Sequence, residues 1–119
     1  MRNIVVTGSA SGLGAAIARR LEKDGQRVIG VDRRDALVVV DLGTPAGRQQ
    51  AIDDALAACD GQVDGVVSCA GLGPYDEPVP VTRVNYFGAM AILDGLRDAL
   101  SRGDQPSAVG ISSVGGSTT

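Results

Sequence analysis

Residues 7–14, Thr-Gly-Ser-Ala-Ser-Gly-Leu-Gly, set Gly8, Gly12 and Gly14 between an apolar run and an amphipathic stretch. The run before them, residues 3–7, is apolar enough to be a strand buried on both faces. The stretch after them, residues 13–24, carries apolar side chains at 13, 16, 17 and 21 and charges at 19, 20, 22 and 23, which is the pattern of a helix with one buried face. Gly25 stands where such a helix stops. A doubly buried strand that turns sharply into a helix must have parallel strands beside it and helices over it, which confines the chain to α/β architectures.

The remaining pattern repeats that unit. Residues 28–31, ending at Asp32, and 37–40, ending at Asp41, predict the second and third strands. Residues 65–69 and 108–112 predict the fourth and fifth. Thr44-Pro45, a capping hydroxyl followed by proline at the first helical position, opens a helix expected to reach about Cys59. Residues 82–102 predict a long helix whose apolar positions cover more than one stripe, so both of its faces are expected to meet protein. The whole chain of 119 residues reads as one doubly wound α/β domain without repeats or a linker.

Composition removes several kinds of chemistry. There is no His, which excludes a Ser-His-Asp triad and an imidazole metal site. The net charge of −3, with arginines scattered rather than clustered, speaks against a nucleic-acid partner or an anionic membrane surface. No apolar stretch approaches the ~20 residues that cross a bilayer. Cys59 and Cys69 do not form a redox or metal spacing and are expected to be small apolar side chains. Two cysteines make no disulfide framework, and together with a start that lacks a signal-peptide pattern they point to the cytoplasm.

The glycine turn suggests a ligand. Gly8 permits the tight bend, Gly12 lets the backbone approach a diphosphate, and Gly14 allows the helix to pack closely on the strand. The amides of Ser11, Gly12 and Leu13 at the helix start would supply donors and partial positive charge. Asp32, 18 positions beyond Gly14, ends the second strand, where a carboxylate can accept both ribose hydroxyls of an adenosine and repel a 2′-phosphate. NAD is therefore the expected cofactor, ahead of NADP, with Arg33 or Arg34 covering the adenine.

These residues resemble the short-chain dehydrogenase/reductase family, whose glycine pattern is Thr7-Gly8-x-x-x-Gly12-x-Gly14. By that resemblance the domain is Rossmann-like with strand order 3-2-1-4-5. Asp41-Leu42 stands where the family contacts adenine, and Ser68-Cys69-Ala70-Gly71 replaces its Asn-Asn-Ala-Gly, so Cys69, Ala70 and Gly71 would line the cofactor. Asn85 would hold a proton-relay water, and Ser113 (or its neighbour Ser112) would hydrogen-bond and polarise a substrate carbonyl. Residues 32–42, 69–74, 84–88 and 111–114 resemble most the bacterial 3α-hydroxysteroid dehydrogenase/carbonyl reductase branch. The implied partners are a small-molecule alcohol or ketone and further copies of the chain, as a dimer or tetramer built on the long helix.

The family's acid/base tyrosine is followed by a lysine four positions on. Here the positions four beyond Tyr75 and Tyr86 are Val79 and Met90, and the sequence ends six residues after Ser113. The chain is thus expected to be the cofactor-binding part of an oxidoreductase, truncated after strand five and inactive alone. The other compatible class is a non-catalytic NAD-binding module, which would have no use for Ser113 and Asn85 together.

Overall fold

The computed structural model describes residues 1–69 and 88–110. Within them five strands, β1 (Asn3–Thr7), β2 (Arg27–Asp32), β3 (Val38–Val39), β4 (Gly65–Ser68) and β5 (Ser107–Gly110), form one sheet in the order β3-β2-β1-β4-β5. All pairs are parallel, with Val5 opposite both Ile29 and Val66 and Val67 opposite Val109. The expected order is therefore found. β3 is shorter than the apolar run at 37–40 suggests, because only Val38 and Val39 pair with β2 in regular register. Val40 still donates to the Asp32 carbonyl at 2.9 Å. β5 begins one residue before its expected start, and the end of the predicted strand, residues 111–112, lies outside the described residues.

Among the described residues four helices accompany the sheet: α1 (Gly12–Lys23), α2 (Pro45–Ala58), α3 (Ala89–Gly95) and α4 (Arg97–Ser101). The Thr44 hydroxyl caps α2 as expected, accepting from the Gly47 N–H at 3.0 Å. One strand face, formed by Val5, Ile29, Val31 and Val66, packs with Ala51, Ala55 and Cys59 of the α2 segment and Ile92, Leu96 and Ala99 of the α3–α4 segment into a single core. Ile4 and Val6 point the other way by the strand's alternation and are also buried, as is Ala18 of α1. Helices on both faces make the sheet doubly wound.

The predicted long helix is not continuous where it is described. Leu96, at φ −99° and ψ 1°, separates α3 from α4. Its side chain is fully buried, and beside it Gly95 meets Ile52 of α2 so closely that a Cβ at Gly95 would lie 2.3 Å from the Ile52 Cδ1. The interruption falls where Leu96 is buried and the Gly95 backbone packs directly on the Ile52 side chain of α2. At the outer edge every residue of β5 is exposed, as expected for an edge strand.

Candidate functional site

The C-terminal ends of parallel strands are where a doubly wound sheet accepts ligands. At that end of β1 the chain enters the left-handed region at Gly8, φ 72°, and again at Gly12, φ 57°, conformations that side-chain-bearing residues adopt rarely. Between these glycines the turn is stitched to β2 at successive residues. The Gly8 N–H donates to the Val31 carbonyl at 2.8 Å, Ser9 packs over Gly30, and the Ala10 N–H donates to Asp32 Oδ2 at 2.9 Å.

The start of α1 is open to a ligand in two respects. Ser11, the residue before its first turn, makes no side-chain capping bond, and the first turn holds no acidic residue of its own. A Cβ added at Gly12 would meet nothing within 4 Å, leaving clear space over the turn. Leu13 is 55% exposed beside it. Gly14 differs: a Cβ there would lie 2.0 Å from the Gly8 carbonyl oxygen, so only glycine lets α1 sit this close to the turn.

Asp32 closes the site on the β2 side. Its Oδ1 accepts from the Arg33 N–H at 2.6 Å, while Oδ2 holds Ala10. A carboxylate has about four acceptor positions, so two remain for ribose hydroxyls. Arg33 and Arg34 are exposed next to it. Further along, Asp41 Oδ1 accepts from the Gly43 N–H at 2.8 Å, and the Leu42 side chain belongs to the core, which leaves its backbone as the part able to face a ligand.

On the β4 side the Cys69 N–H donates to both the carbonyl (3.2 Å) and the hydroxyl oxygen (3.1 Å) of Thr7, which fixes Cys69 against the turn. Cys69 is half-buried, and burial pushes its thiol above the ordinary value, so it is not an activated nucleophile. Cys59 is buried in the core, as expected, with its thiol raised for the same reason. Ala70, Gly71, Asn85, Ser112 and Ser113 lie outside the described residues.

The structure thus brings together Gly8, Ser11, Gly12, Leu13, Gly14, Asp32 and Cys69 around one turn, with Arg33 at its rim. Ser9 and Ala10 were not singled out by the sequence reading. A glycine inside a strand signals close backbone approach, and Gly30, over which Ser9 packs, was that signal. Among the described residues there is no cluster able to hold a metal ion and no helix long and apolar enough to cross a membrane.

Known proteins are similar to this chain. The 3-alpha-hydroxysteroid dehydrogenase/carbonyl reductase of Comamonas testosteroni is 50% identical over 115 residues, covering 96% of this chain and 45% of that protein. A coniferyl-alcohol dehydrogenase of Pseudomonas sp. (strain HR199) is 38% identical over 119 residues, covering 95% and 44%. The crystal structure of the 3-alpha-hydroxysteroid dehydrogenase from Pseudomonas sp. B-0831 complexed with NADH is similar with a TM-score of 0.87 at 49% identity, over 94% of this chain and 48% of that one. The chain therefore spans a little under half the length of these relatives. With its glycine turn, its strand order and a family match over residues 2–119, this chain belongs to the short chain dehydrogenase family.

Proposed function

We propose that this chain is the dinucleotide-binding part of an NAD(H)-dependent oxidoreductase that interconverts a secondary alcohol and a ketone, with 3α-hydroxysteroids as the substrate class. The observation that carries the reading is the pairing of an α1 N-terminus without a side-chain cap, clear above Gly12, with the Asp32 carboxylate at the end of β2. The first fits a diphosphate, and the second fits the two hydroxyls of an unphosphorylated ribose. The site therefore suits NAD better than NADP, in keeping with the NADH complex of the similar Pseudomonas enzyme.

In this reading the backbone around Ser11, Gly12 and Leu13 binds the diphosphate, and Gly14 holds α1 at the distance that aims those amides. Asp32 takes the adenosine ribose and Arg33 covers the adenine, with Asp41 and the Leu42 backbone on its far side. Cys69, Ala70 and Gly71 line the opposite wall. The bound nicotinamide supplies the hydride chemistry. Ser113 donates a hydrogen bond to the substrate oxygen, and Asn85 holds the water through which a proton passes. The protein acts on a small molecule as a dimer or tetramer.

Calorimetric titration with NADH tests this. The wild-type protein is expected to bind NADH, and Asp32→Ala to weaken binding at least about tenfold, as loss of charged hydrogen bonds does. Equal affinity in the two would remove Asp32 from the site.

A further inference from the structure

Asp32 is occupied before any ribose arrives. Its Oδ2 accepts from Ala10, in the middle of the glycine turn, at 2.9 Å, and Oδ1 accepts from its neighbour Arg33 at 2.6 Å. Ala10 is not adjacent to Asp32 in the sequence, being 22 positions away, so this bond joins the turn to β2 across the ligand end of the sheet. It is the outermost of three successive ties, after the Gly8 bond to Val31 and the seat of Ser9 on Gly30. A Cβ at Gly30 would lie 2.5 Å from the Ser9 Oγ, which shows how closely the turn follows β2. The first helical residues, which follow Ala10 after Ser11, are those that would meet the diphosphate.

We infer that Asp32 is a positioning residue for the glycine turn as well as a ribose ligand: through Ala10 it sets the conformation of the backbone that binds the diphosphate. The two roles are compatible because the ribose and the Ala10 N–H use different acceptor positions of one carboxylate. They also couple the two halves of the site, since a ligand that draws Asp32 away from Ala10 loosens the turn. The inference rests on the cofactor reading for its consequence, though the Ala10 bond itself does not.

The test separates the roles with a ligand that has no ribose. Inorganic pyrophosphate is titrated into the wild type, Asp32→Ala and Asp32→Asn, while amide hydrogen exchange is followed at Ala10. If Asp32 positions the turn, the Ala10 amide is protected in the wild type, and protection falls about tenfold in Asp32→Ala. Asp32→Asn keeps an acceptor oxygen and restores most of the protection. Pyrophosphate then binds Asp32→Ala at least about threefold more weakly than Asp32→Asn, although both lack the negative charge that would repel it. An unprotected Ala10 amide in the wild type, or equal pyrophosphate binding by the two variants, overturns the inference. A protected Ala10 in a protein that binds no NADH would instead overturn the cofactor reading and leave the Asp32 anchor standing, and the wild-type measurement stands even where a variant does not fold.

Discussion

Gly14 lies so close to Gly8 that a Cβ on the first would sit 2.0 Å from the carbonyl oxygen of the second. The obstacle is backbone, so it cannot rotate away as a side chain would. Gly14→Ala is expected to push α1 off the turn and to destabilise the protein by about 3 kcal/mol, the upper range for overpacking. Urea unfolding measures this directly, and an unchanged midpoint would show that the helix has room to move.

Asp64 does comparable work at the opposite end of the sheet. It is 2% exposed and ties the start of β1 to the segments that lead into β4 and β5: Oδ2 accepts from the Asn3 N–H at 2.7 Å, and Oδ1 from the Asp104 N–H at 2.6 Å and from Gln62 at 3.3 Å. The Asp104 bond does most to hold its carboxyl below the ordinary value, desolvation opposes it, and Asn3, Gln62 and Arg2 add to the lowering. Because the folded value is the lower one, the stabilisation is fully present above the unfolded value near pH ~4 and is lost as pH falls through the folded value. Asp64→Ala, which strands two backbone donors, is expected to cost about 2–4 kcal/mol at neutral pH and to flatten the acid limb of the stability profile. A stability curve for the variant parallel to that of the wild type between about pH 5 and pH 2, roughly the titration range of carboxylates, would contradict the role.

Thr44 gives a smaller, local test. Its hydroxyl is the acceptor for the Gly47 N–H at the start of α2, and α2 carries much of one core face. Thr44→Ala is expected to lose about 1 kcal/mol, and Thr44→Ser to lose much less, because serine keeps the acceptor. Thermal unfolding of the pair checks it. Equal losses would assign the effect to the lost methyl group and not to the cap.

Much of this was legible in the sequence because the signals were local. The glycines of the turn, Thr44-Pro45 and the apolar runs each specify backbone geometry by their own chemistry, and the sheet order followed from resemblance to a family that the comparison then showed. What was not legible depends on distant partners. Asp64, between Val63 and Gly65, reads as any polar residue at a strand start, and only the fold brings Asn3 and Asp104 to it. Leu96 fits a helical period well, and the interruption there falls where Gly95 packs on α2, which no periodicity records. Asp32 was legible as a candidate site residue at the end of the second strand but not as the partner of Ala10, since that bond spans the turn and the second strand.

The central claim is a dinucleotide site that selects an unphosphorylated ribose, and paired calorimetric titrations of the wild-type protein with NADH and NADPH test it most directly. If Asp32 takes the ribose, NADH is expected to bind at least about tenfold more tightly than NADPH, since setting a phosphate against a like charge costs more than about 1 kcal/mol. Tighter binding of NADPH, or no binding of either, would contradict it.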